Sequence, residues 1–169
     1  MVDTFASRGI THPVIAWGPG GPMRGVKIVK ANGVDLLPGY IVTNIGETGA
    51  SVDLCGATEQ PSGVIIGPVV ALTAAGAKRN LDSISVDDES LYMAEVGSGI
   101  EIWVFHVTSA GAITPGLLAK VSATAGLSAP FAYADGTEEN DSSTSIIGRF
   151  SKSRADEAAV TLAAVRMEM

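Results

Sequence analysis

The sequence predicts an all-β chain, a compact small barrel or β-tulip-like sandwich built from two related β-units and preceded by an extended N-terminal arm. Three observations lead there: a residue content that favours strands and turns, a series of short β-forming runs bounded by turn residues, and an internal repeat. The 20 Gly and 8 Pro sit among many Val, Ile and Thr residues, the mixture expected of short strands joined by tight turns. Charged residues are 17% of the chain and hydrophobic residues 46%. Charge is therefore below the roughly 25% usual for soluble domains, the opposite of the balance that keeps a chain disordered. At 169 residues the chain is about one domain long and can bury a core.

The clearest strand is the run from Ile100 to Val107, nearly all β-formers and preceded by Gly97-Ser98-Gly99. Further strands are predicted at Val26–Lys30, Tyr40–Ile45, Ser51–Cys55, Val64–Leu72, Leu91–Val96, Leu117–Ala123, Ser145–Ser151 and Val160–Met167, each bounded by Gly, Pro, Asn, Asp or Ser. Strands at this spacing favour a barrel or sandwich. The last segment has two readings. Ala158, Leu162, Val165 and Met169 make a helical stripe, whereas a strand with Val160 and Leu162 inward places Val165 and Met167 on the opposite parity. We take the strand, with a bulge at Ala163-Ala164 to bring both pairs inward.

The repeat sets Val26–Gly33 beside Val104–Gly111, Pro38-Gly39-Tyr40-Ile41-Val42 beside Pro115-Gly116-Leu117-Leu118-Ala119, and Ile65-Ile66-Gly67 beside Ile146-Ile147-Gly148. Pro presets φ and Gly permits positive φ, so each Pro-Gly pair suits a type II turn. The units span about 26–72 and 100–153, within a single β domain over 26–169, and two such units would pack face to face around a shared core. The competing explanation is chance recurrence in a Gly-rich β-protein.

Residues 1–25 stand apart. Trp17-Gly18-Pro19-Gly20-Gly21-Pro22 cannot be a regular helix and reads as an extended arm. Phe5, Ile10, Val14, Ile15 and Trp17 are its apolar content, and with Pro13, Pro19 and Pro22 they form the candidate interface. Such an arm either lies on a neighbouring subunit or closes its own barrel. Tyr133–Thr144 is an acidic, polar segment of the kind found at solvent-facing tips.

The search for chemistry yields little. Net charge is −7 and the 11 Lys and Arg are scattered, which argues against direct binding to nucleic acid or an anionic membrane. No run of about 18 apolar residues is present to span a membrane, and no signal peptide is expected. The single cysteine, Cys55, lies in an apolar stretch and reads as a buried structural thiol. Of two histidines, His106 sits inside the strongest strand and His12 precedes Pro13 in the arm. No Gly-x-Ser-x-Gly elbow occurs. Gly18-Pro19-Gly20-Gly21-Pro22 lacks the Lys-Ser/Thr of a phosphate loop and carries prolines where amide donors are needed. Cys/His spacing for zinc is absent. Asp135, Glu138, Glu139 and Asp141 alternate as calcium ligands can, without the terminal bidentate Glu of an EF-hand, so a solvated loop is the simpler reading. No cofactor and no enzymatic activity are expected.

The paired Pro38-Gly39-Tyr40-Ile41-Val42 and Pro115-Gly116-Leu117-Leu118-Ala119 units, with Ser145-Ile146-Ile147-Gly148-Arg149 and a final Val160-Thr161-Leu162 strand, resemble the capsid decoration (cement) proteins of tailed phages and related archaeal viruses. The resemblance is architectural and covers roughly residues 24–167. It implies a structural protein on the outer capsid surface of a virion, made in the host cytoplasm, that acts as a homotrimer and bridges subunits of the major capsid protein. The alternatives are another virion β-module (tail-tube, head-fibre or baseplate), a carbohydrate-binding or adhesion domain, and a small β-barrel enzyme. The carbohydrate reading wants exposed aromatics, yet these are 5% of the chain and Trp103 falls in a core-like strand.

Overall fold

The computed structural model describes residues 25–32, 35–46, 48–68, 90–107, 111–131, 145–155 and 159–168. Within them the chain is all-β, with ten strands: β1 (Val26–Ala31), β2 (Ile41–Ile45), β3 (Ser51–Leu54), β4 (Gly63–Pro68), β5 (Ser90–Glu95), β6 (Glu101–His106), β7 (Leu118–Val121), β8 (Ser128–Pro130), β9 (Ile146–Phe150) and β10 (Thr161–Arg166). Nine correspond to predicted strands; β8 is the addition.

The strands close into two five-stranded barrels with the same order, β1-β3-β2-β4-β5 and β6-β8-β7-β9-β10. In each, the first strand pairs parallel with the third, and the other pairings are antiparallel. Closure leaves neither sheet with an unpaired edge.

Strand register defines which residues correspond. Following the pairings round each barrel matches Val26 with Glu101, Val42 with Ala119, Val52 with Ser128, Gly63 with Gly148 and Ala94 with Arg166, and returns to the start without a mismatch. Main-chain hydrogen bonds outside the strands repeat in the same way. Gly39 N donates to Ile65 O as Gly116 N does to Phe150 O, both at 2.8 Å, and Glu95 N donates to Gly25 O as Met167 N does to Ile100 O, again at 2.8 Å. Both Pro-Gly pairs form the expected turn. Gly39 and Gly116 have φ of 93° and 91°, and Tyr40 N and Leu117 N donate back to Leu37 O and Thr114 O.

Register also corrects the sequence match. Each unit takes in a fifth strand, β5 or β10, beyond the expected 26–72 and 100–153. Val26 corresponds to Glu101 rather than Val104. The two Ile-Ile-Gly segments do not correspond: each carries a bulge, between Ile65 and Gly67 in one barrel and opposite Ala119/Lys120 in the other, but at different heights. The corresponding glycines are Gly63 and Gly148, and the reason is steric. A Cβ on Gly63 would collide with the Ala94 carbonyl oxygen, and one on Gly148 with that of Arg166, the matching residue.

The C-terminal segment is a strand, but without the expected bulge. Its register along β6 is unbroken from Thr161↔His106 to Arg166↔Glu101. No bulge is needed because both faces are covered. Ala163, Val165 and Met167 join one apolar cluster, while Leu162 packs with Phe105 and Leu127 in another.

The first barrel is filled by Val29, Ala31, Leu36, Val42, Val52, Ile65, Leu91 and Met93. The second is filled from Ile102, Val104, Ala119, Val121, Phe150, Ala163, Val165 and Met167, and the same cluster takes in Ile41, Cys55, Val64, Ile66 and Ala94 from the outside of the first barrel. That shared apolar seam, with Ile41 N donating to Gly126 O and Phe105 N to Gly39 O, joins the two barrels.

Candidate functional site

In a barrel strand, alternate residues point inward. On β1 the inward set is Lys27, Val29 and Ala31; on β2 Val42 and Asn44; on β5 Leu91, Met93 and Glu95, as their membership of the first barrel's core and the register place them. Lys27, Asn44 and Glu95 all fall at one end of that barrel. The corresponding residues of the second barrel are Ile102, Val121 and Met167, which are buried and apolar. One barrel is sealed with hydrocarbon where the other carries an ammonium, an amide and a carboxylate.

A groove of about 650 Å³ opens at this polar end, lined by Thr43, Asn44, Gln60, Pro61, Ser62, Glu95, Val96 and Ile146. Its wall is held by its own hydrogen bonds. Thr43 Oγ1 donates to Gln60 O at 2.9 Å, Asn44 N donates to Ser62 Oγ at 2.9 Å, and Val96 N donates to Ser62 O at 3.0 Å. At the β2–β3 turn, a Cβ on Gly49 would lie 3.0 Å from Lys27 Nζ and 3.3 Å from Asn44 Nδ2, so these two donors converge there. Among the described residues Glu95 has no ion-pair partner. Glu101, by contrast, approaches both Lys152 and Arg166, at 3.9 and 3.7 Å.

The other polar side chains of interest serve the architecture. His106 is buried, with Nδ1 3.1 Å from Ser128 Oγ, and Ser128 Oγ donates its proton to Phe105 O at 3.1 Å. The imidazole is therefore the donor to the serine oxygen, which fixes a proton on Nδ1. Its ring also stands edge-on to Phe150, with centroids 5.6 Å apart. Cys55 lies in the seam between barrels; burial first, then the negative charge of Glu59, push its thiol up to about 12, opposite to what a nucleophile requires. Trp103 sits half-buried on the outside of β6 rather than in a core, with Lys152 Nζ 4.9 Å from its ring centroid. Among the described residues no three His, Cys, Asp or Glu side chains are grouped to hold a metal ion.

The predicted interface residues Phe5, Ile10, Pro13, Val14, Ile15, Trp17, Pro19 and Pro22 lie outside the described residues, as do the acidic segment 135–141 and His12. Sequence reasoning missed Lys27, Asn44 and Glu95. The signal was present as a polar residue in the inward phase of three strands, Lys27-x-Val29-x-Ala31, Val42-x-Asn44 and Leu91-x-Met93-x-Glu95, but only the closed register shows that they share one end. The chain matches no described protein family, and no curated protein is similar to it in sequence.

Proposed function

We propose that the chain is a non-catalytic structural protein of a virus particle, a decoration protein that binds the outer surface of the capsid as a homotrimer and stabilises the lattice of the major capsid protein. The observation that carries this reading is the duplicated barrel. Two closed barrels joined by a common apolar seam form a block without free sheet edges among the described residues, which suits repeated contacts to a lattice and resists edge-to-edge aggregation at high local concentration. Among the described residues, His106, Ser128 and Cys55, three side chains capable of base or nucleophile chemistry, are buried in structural contacts. Trp103, the aromatic a carbohydrate platform would need, has a lysine over its ring.

The mechanism is mass action. A protein that binds only the assembled lattice stabilises it in proportion to affinity and concentration, and three linked contacts hold far more firmly than one. The arm, residues 1–22, is assigned the reach across subunit seams, where an extended segment can add to an exposed strand. Adding the purified chain back to capsids that lack it tests the reading: electron microscopy should show external density at lattice symmetry positions. Removing residues 1–22 should abolish that density while circular dichroism still reports a folded β-protein. Bare capsids with the intact chain would overturn the proposal; undiminished occupancy without the arm would overturn the arm's role.

A further inference from the structure

We infer that the polar mouth of the first barrel is a docking groove for a lysine or arginine side chain carried on an extended segment of a partner protein. The starting point is the difference between duplicated units. Positions held by Ile102, Val121 and Met167 in the second barrel are Lys27, Asn44 and Glu95 in the first, and the second barrel buries all three of its apolar side chains there. Two of the polar residues, Asn44 and Glu95, line a groove of about 650 Å³ at this end. This inference does not rest on the capsid reading and holds for any partner protein.

The groups present define the occupant. Glu95 is a carboxylate without an ion-pair partner among the described residues, and the whole chain carries a net charge of −7, so the approaching group is a cation, and a charge-assisted hydrogen bond to Glu95 holds it. Asn44 also lines the groove, and its Nδ2 is a donor that requires an acceptor. A Lys or Arg residue within a polypeptide supplies both at once, its side-chain cation for Glu95 and a main-chain carbonyl for Asn44. The amides of Gln60 and Asn44 can each donate and accept, which matches a peptide bond. A polyamine supplies the cation but no acceptor. A saccharide supplies hydroxyls but no charge, and among the described residues no aromatic ring lines the groove to stack beneath it.

A random heptapeptide library, selected on the immobilised full-length chain with counter-selection on Glu95→Gln, tests this. Selected peptides should be enriched in Lys or Arg and should bind Glu95→Gln at least tenfold more weakly, with a smaller loss for Asn44→Ala, while both variants keep the wild-type melting temperature within a few degrees. Titrating a selected peptide into the isotope-labelled chain should shift the amide signals of Asn44, Ser62 and Val96. Failure to select binders, peptides without Lys or Arg, equal binding to Glu95→Gln, or shifts elsewhere would each overturn the inference. So would spermidine or methyl glucoside moving the same amides as strongly, since the groove would then belong to a small cation or a sugar.

Discussion

The two barrels have the same strand order, the same register and matching turn hydrogen bonds, yet each places its polar interior residues at the opposite end. The second barrel carries His106 and Ser128 where the first has Ala31 and Val52; the first carries Lys27, Asn44 and Glu95 where the second has Ile102, Val121 and Met167. In the second barrel the polar pair is buried and closes on itself through the Phe105 carbonyl. In the first, Asn44 and Glu95 line a groove. A duplicated fold therefore separates two demands within one chain: register and glycine positions are held in common because the backbone requires them, while the side chains at each end are free to diverge toward a sealed or an open mouth.

Exchanging the divergent residues should break this comparison most severely in one direction. Met167→Glu places a carboxylate in a fully buried site and is expected to cost roughly 3–5 kcal/mol in denaturant unfolding, whereas the reciprocal Glu95→Met should stay within about 0.5 kcal/mol of the parent. Next comes the shared glycine. Gly148→Ala meets the Arg166 carbonyl at a φ of 151° and is expected to cost roughly 3–4 kcal/mol. Gly63→Ala meets the matching Ala94 carbonyl without that positive φ and should cost about 2 kcal/mol by the same measurement.

Ser128→Val, which installs the residue the first barrel uses, should cost about 1–3 kcal/mol because it leaves the buried Nδ1–H of His106 without its acceptor. Adding His106→Ala should then cost less than the sum of the single changes, since both partners are gone, and a double-mutant cycle reads this coupling directly. A further effect, confined to alkaline solution, is on pH dependence at the seam. The Cys55 thiol is raised from 9.0 to about 12 in the fold, so the unfolded chain loses this proton first. Its contribution is complete below pH 9 and declines between about 9 and 12, by about 1.4 kcal/mol per pH unit. Unfolding measured across that range should fall more steeply for the parent than for Cys55→Ala.

The fold was legible where local chemistry forces the backbone. Pro38-Gly39 and Pro115-Gly116 announce their turns because few other pairs adopt that geometry, and Ile100–Val107 is too rich in β-formers to be anything but a strand. Ser128-Ala129-Pro130 was not legible: three residues, two of them small and one a proline, carry no apolar alternation, and pairing with β6 and β7 makes the strand. The Ile-Ile-Gly match misled because side-chain identity was compared, whereas the corresponding positions are set by carbonyls approaching Gly63 and Gly148. The expected bulge at Ala163-Ala164 assumed one buried face, but apolar clusters cover β10 on both. Lys27, Asn44 and Glu95 each read as an ordinary surface residue; their convergence depends on closing the barrel, which no local pattern encodes.

Amide hydrogen exchange compares the two mouths most directly, because the same hydrogen bond occurs in both. Glu95 N donates to Gly25 O and Met167 N to Ile100 O, each at 2.8 Å, but Met167 is fully buried and Glu95 borders a groove. If one end is sealed and the other open, local opening should be easier at the groove, and the Glu95 amide should exchange at least tenfold faster than that of Met167. Equal protection, or slower exchange at Glu95, would contradict the division of the two barrels into a sealed end and an open one.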